Sequence, residues 1–143
     1  MLDEYDYIIM DTNPSMGVVN QNAFMAADSI ILVSDVSKKA IQGAQLFSYL
    51  WGEICENMDI EDNTKALILN NCDKRIGLTA DIKEYYRDDD DFGKILMEHT
   101  IPARVDIKST EVRYLPINLT APNSDACEAF RDVVAELKER GVL

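Results

Sequence analysis

Three short apolar runs, each set between segments of helical period, limit what this chain can fold into more than any other feature. Ile8-Ile9-Met10, Ser29 to Val33 and Lys65 to Leu69 are too short for helices and read as buried strands. Between them, Val18 to Ala27 reads as a short helix rich in Ala and Asn. A long helix opens at an N-capping Ser37 and runs to about Met58, with apolar residues at 40/41, 44, 47, 50/51, 54 and 58. Further along, Thr79 to Tyr86 reads as a helix and Asp88 to Asp91 as a loop. Ile95 to Ile101 holds a short strand stopping at Pro102, and Pro116 to Leu119 is a possible edge strand. Ser124 caps a last helix that reaches Arg140 and stops at Gly141. Strand–helix alternation of this kind predicts an α/β fold: a mostly parallel sheet with helices on both faces.

The 143 residues suit a single domain. With 26 acidic and 14 basic residues the chain carries a formal charge of −12, which opposes non-specific contact with nucleic acid or anionic membrane. Cys55, Cys72 and Cys127 are odd in number, widely spaced and form no C-x-x-C, so they suggest neither a disulfide framework nor a zinc site. A reducing, cytoplasmic setting fits them best. Asp3, Glu4 and Asp6 argue against a secretory leader. No apolar run approaches the ~20 residues of a membrane span.

The first apolar run ends in Asp11 and is followed by Thr12-Asn13-Pro14-Ser15-Met16-Gly17. A strand so built delivers its carboxylate to the carboxyl edge of the sheet, where open α/β sheets bind ligands. In nucleoside triphosphatases an aspartate there serves the magnesium that bridges the phosphates. Yet none of the six glycines makes G-x-x-x-x-G-K, since Gly93-Lys94 has Asp88 where the first glycine belongs. A response-regulator receiver is a poor alternative: no acidic pair precedes Asp11, and the strand at 65–69 ends in Asn70-Asn71 where a lysine is needed.

These motifs, taken in order, resemble the C-terminal portion of the partition ATPases of the ParA/Soj and MinD type. The magnesium strand of that family reads like YDYIIIDTPPSLG, and here Tyr5 to Gly17 reads YDYIIMDTNPSMG. The likeness continues through Asn22-Ala23, Ala26-Ala27-Asp28, Ala40-Ile41-Gln42-Gly43, Leu69 to Asp73, Thr100-Ile101-Pro102 and Leu115-Pro116-Ile117. It ends at Pro122 to Phe130, which is similar to the family's P-x-S-x-A-x-x-A-Y/F helix entry. The family's Lys-Gly-Gly-x-Gly-Lys-Thr loop and its switch aspartate have no counterpart in these residues, and Ala103 to Asp106 depart from its usual pattern.

The resemblance implies a partial P-loop NTPase, Rossmann-like three-layer fold, and ATP and magnesium as cofactors of the complete protein. Asp11 would act on magnesium through water. Pro14, Ser15 and Gly17 would shape the loop that senses the γ-phosphate. Asn70 would pair with the adenine edge and Pro102 would wall the base pocket. Each has a plainer reading as a turn former or strand-end residue. The implied activity is ATP-driven plasmid or chromosome partitioning, with a ParB-like partner and DNA bound only by the complete ATP-loaded dimer. Without a phosphate loop this chain is expected to be inactive alone and to need the upstream half or a second copy. The competing expectation is a non-enzymatic remnant or adaptor that binds a partner protein.

Lys38, Lys39, Lys74, Arg75, Arg104, Lys108 and Arg113 offer local positive charge, but solvated surface is the better reading beside the acidic excess. His99 has no Ser or Cys partner in the sequence pattern, and Trp51 and Phe47 read as core.

Overall fold

The computed structural model of the chain describes residues 4–13, 15–73, 75 and 77–143. Its sheet has two parallel strands, β1 (Ile30–Asp35) and β2 (Thr64–Asn70), in register from Ile31 opposite Ala66 to Asp35 opposite Asn70. The second strand alternates faces. Leu67 and Leu69 pack with Ile82 and Tyr86 of α3 (Leu78–Asp88) and with Phe92 of α4 (Phe92–Ile95). Ala66 and Ile68 pack with Met97, Ile101 and with Val133 and Leu137 of α7 (Asp125–Glu139). Burial on both faces explains the unbroken apolar run at 66–69 and gives the expected three layers. Each large side chain buried this way contributes about 1.5–3 kcal/mol.

A third cluster joins β1 to α1 (Val18–Ala26) and α2 (Lys38–Met58). Phe24 meets Phe47 and Trp51 edge-on, with ring centroids 5.5 and 5.6 Å away. Ser37 opens α2 as expected, its Oγ accepting from the Ala40 amide at 3.1 Å, and Ser124 opens α7 by accepting from the Cys127 amide at 3.2 Å. Gly141, at φ +67, turns the chain after α7. Gly93 is needed for a different reason: a Cβ there would lie 2.6 Å from the Arg87 carbonyl oxygen.

Four expectations change. Ile8-Ile9-Met10 is irregular and exposed and is paired in no ladder among the described residues. An apolar run becomes a strand only where a neighbour supplies backbone partners, and β1 pairs with β2 alone. Ile95 belongs to α4, and the strand expected at 95–101 is interrupted. Met97 and Ile101 donate to the carbonyls of Leu67 and Leu69 at 2.9 Å, while the amides of Glu98 and His99 between them turn to a side chain of α7. Pro116 to Leu119 is no edge strand: Ile117–Thr120 forms the short helix α6, with Pro116 at its N-cap. Finally, Val105–Arg113 is a helix, α5, where no element was expected; none of its described side chains is fully buried, so its apolar period is weak.

Candidate functional site

The carboxyl ends of the two strands meet. Asp35 closes β1, Asn70 closes β2, and the Asn70 Nδ2 donates to Asp35 Oδ1 at 3.1 Å. One N–H and the carbonyl of the Asn70 amide remain for another partner, as pairing with a base edge would require. Asn71 then takes a left-handed φ of 56°, which brings Cys72 back to bridge with Pro102. The Cys72 amide donates to the Ile101 carbonyl at 3.0 Å and the Ala103 amide to the Cys72 carbonyl at 2.9 Å, fixing buried Pro102 against the strand end. A cavity of about 630 Å³ opens here, lined by Cys72, Thr79, Lys83, His99, Pro102 and Arg104 among others. Pro102 lines it and Asn70 does not. Burial pushes the Cys72 thiol up, so it is a protonated, inert group at neutral pH.

Asp11 is exposed on the irregular segment before α1, and among the described residues no hydrogen bond or ion pair engages its carboxylate. Among the described residues no hydrogen bond or ion pair joins it to Asn70 or Pro102, and the three are not brought together in one site. Pro14 lies outside the described residues. Around it, the Ser15 Oγ donates to Asn13 Oδ1 at 2.9 Å, and Asn20 holds the turn from below. The buried Asn20 Nδ2 lies 2.8 Å from the Asn13 carbonyl, 2.6 Å from Asn13 Oδ1 and 2.7 Å from the Ser15 carbonyl. Sequence reasoning missed Asn20, because the run Asn20-Gln21-Asn22 gives no local sign of which amide is buried.

No group of three or more metal-ligating side chains occurs among the described residues. A free carboxylate such as Asp11 suits magnesium only where phosphate oxygens and waters supply the remaining ligands. The chemistry open to Asp11 is therefore acceptance of hydrogen bonds from metal-bound water.

A second polar centre was also missed. Glu136, buried on α7, accepts the amides of Glu98 at 2.8 Å and His99 at 2.9 Å, the His99 Nδ1 at 2.8 Å and Arg140 Nη2 at 2.7 Å. Burial pushes its carboxyl up, but the His99 and Glu98 amides, the His99 ring and the Arg140 charge outweigh that and hold it below its usual range. Arg140 also donates to the Leu96 carbonyl at 2.9 Å. His99 is thus a tether of the 96–102 segment. Lys83, hydrogen-bonded at 2.8 Å, lowers the Glu98 carboxyl, with Arg87 adding to the effect. Arg75 grips Asp73 through three hydrogen bonds of 2.8–3.0 Å, which holds that carboxyl down at about 2. Of the positive residues singled out, Arg75 and Arg104 face acidic partners, Asp73 and Asp125, and Lys74 lies outside the described residues.

Fold and strand-end geometry together define an α/β chain of the P-loop, Rossmann-like class, seen in part. A family model described as an AAA domain matches residues 1–65. The chain is 27% identical over 137 residues to the chromosome partitioning protein ParA of Myxococcus xanthus, covering 96% of this chain and 48% of that protein. It is 26% identical over 141 residues to the sporulation initiation inhibitor protein Soj of Bacillus subtilis, covering 96% and 53%. A shorter match, 36% identical over 58 residues, reaches the virulence plasmid ParA family protein pGP5-D of Chlamydia psittaci and covers 41% and 22%. The chain is thus similar to ParA-type partition proteins over nearly all of its residues. It spans about half the length of the curated relatives it matches over most of its residues. Among the described residues no helix is long and apolar enough to cross a membrane.

Proposed function

We propose that this chain supplies the magnesium-side and adenine-side elements of a ParA-like ATPase that partitions plasmids or chromosomes in the cytoplasm. The observation that carries this is the ordered likeness to partition proteins over nearly the whole chain, with Asp11 ending the first apolar run. In the complete protein Asp11 would hold magnesium through water, Asn70 would offer its spare amide groups to the adenine edge, Pro102 would wall the base pocket, and Pro14 would help shape the loop at the γ-phosphate. Magnesium supplies charge neutralisation between the phosphates. The residues Asn13 to Gly17 form the loop that answers to the γ-phosphate, and Asn20 holds that loop in place.

Phosphoryl transfer depends on positioned cations and amides around the phosphates, and the 143 residues include no G-x-x-x-x-G-K. The chain alone is therefore inactive; activity requires a phosphate-loop half. A ParB-like protein is the expected partner, and DNA is bound by the complete ATP-loaded dimer only. A non-enzymatic adaptor is the second reading, favoured by the exposed, unengaged Asp11.

Phosphate release measured with the chain alone, and with the chain joined behind the phosphate-loop half of a related partition protein, separates these readings. ATPase activity only in the joined protein supports the first. An inactive but folded joined protein sinks it in favour of the adaptor, and release by the chain alone contradicts both.

A further inference from the structure

Asp35 and Asn70 are register partners at the carboxyl ends of β1 and β2, so their side chains leave the sheet on the same face, one strand spacing apart. The Asn70 Nδ2 donates to Asp35 Oδ1 at 3.1 Å, and among the described residues no lysine or arginine competes for that carboxylate. The backbone beneath the pair is held as well. The Ser34 Oγ donates to the Asp35 carbonyl at 3.2 Å, and the Cys72 Sγ lies 3.8 Å from the Asn70 carbonyl.

A carboxylate only accepts hydrogen bonds, whereas a primary amide donates from one arm and accepts on the other. Asp35 therefore decides which way round the Asn70 amide stands. Turned over, the amide would lose a charge-assisted bond and set two acceptor oxygens against each other. The carboxylate thus leaves Asn70 with its acceptor and its remaining N–H in a fixed order.

That order matters for a base held one way round by its ribose. Adenine offers an amino donor beside a ring-nitrogen acceptor, which a correctly oriented Asn amide meets with two bonds. A 6-oxo purine, hypoxanthine or guanine, offers the reverse on its pairing edge: the oxygen accepts and the ring N–H donates. Asn70 could meet that edge only with its amide turned over.

We infer that Asp35 is a positioning residue that makes this strand end select adenine over 6-oxo purines, by locking the orientation of the Asn70 amide. The inference rests on the reading that Asn70 meets the base edge. Asp35 itself touches no base; it acts through Asn70.

Inosine triphosphate is the discriminating probe, because it reverses the edge without adding the second amino group of guanine. Calorimetry on the chain joined behind a phosphate-loop half should show ATP bound about 10–100-fold more tightly than inosine triphosphate. Asp35→Asn and Asp35→Ala should each bring the two within about threefold, chiefly by tightening inosine triphosphate, which a general loss of structure would not do. Asp35 is exposed, so both variants should keep the wild-type thermal melt. In the chain alone, nuclear magnetic resonance should show one Asn70 side-chain amide proton shifted by the carboxylate, and Asp35→Ala should abolish that shift. An unshifted amide, or an unchanged selectivity in both variants while Asn70→Ala weakens ATP, would overturn the role of Asp35 and leave base reading by Asn70 standing. A joined protein that binds ATP no better than its Asn70→Ala variant would remove that reading and the inference with it.

Discussion

Replacing Glu136 by leucine should be the most damaging single change to the sheet's closed edge. The substitution removes every acceptor at once. The amides of Glu98 and His99, now 2.8 and 2.9 Å from the carboxylate, would face a methyl group. An amide stranded in a dry interior costs about 1–3 kcal/mol. Glu98 and His99 are themselves exposed, so water reaches part of the gap and the lower half of that range applies to each. Arg140 loses its 2.7 Å partner but keeps the Leu96 carbonyl. The sum is about 2–4 kcal/mol, equivalent to a fall of roughly 6–12 °C in Tm for a chain of this size.

Glu136→Gln keeps one acceptor oxygen and should lose about half as much. Glu98→Ala is the control: its carboxylate is exposed and its ion pairs with Lys83 and Arg87 are worth about 0–1 kcal/mol. The assay is urea unfolding with hydrogen exchange at amides 98 and 99. The pH profile adds a second check. Because the folded Glu136 carboxyl is held below its ordinary 4.5, its contribution is present above that value and is lost as pH falls through the lower folded value. The leucine variant should lack that portion of the acid loss. A Glu136→Leu protein within about 0.5 kcal/mol of wild type, with exchange unchanged at 98 and 99, would refute the reasoning.

Three further outcomes are expected. Tyr86→Phe should cost about 0.5–1.5 kcal/mol in a thermal melt, because it removes the oxygen 2.8 Å from the buried Ser34 hydroxyl and leaves that hydroxyl only its 3.2 Å bond to the Asp35 carbonyl. Ser34→Ala added to it should cost much less than the two changes summed. Asn20→Ala should speed hydrogen exchange and proteolysis at 13–17 while leaving the β1–β2 amides protected; uniform loss of protection would show that Asn20 supports the whole fold. A gel shift with unrelated duplex at near-physiological salt should show no complex, since counterion release needs clustered cations; micromolar binding with a steep salt slope would contradict this.

The elements legible in the sequence are those fixed by short-range chemistry. Ser37 and Ser124 announce their helices because an N-cap is a contact between residues three apart. The run at 66–69 announces a strand buried on both faces. Elements decided by distant neighbours were not legible. Ile8-Ile9-Met10 has strand composition but no ladder partner, and the 96–102 segment is broken because Glu136, far along the chain, takes two of its amides. A glutamate on an amphipathic helix reads as solvated surface, so nothing local marks it as buried. Of the candidate site, Asn70 and Pro102 stand at the sheet's carboxyl edge, where the strand pattern put them. Their link to Asp11 depends on contacts that local sequence does not encode.

The role of Asp11 tests the account most directly. In the chain joined behind a phosphate-loop half, magnesium-dependent ATP turnover should fall by about a hundredfold or more with Asp11→Ala, roughly 3 kcal/mol of transition-state stabilisation. The thermal melt should be unchanged, because the side chain is exposed and supports no packing. Wild-type turnover and magnesium dependence in that variant would contradict the account.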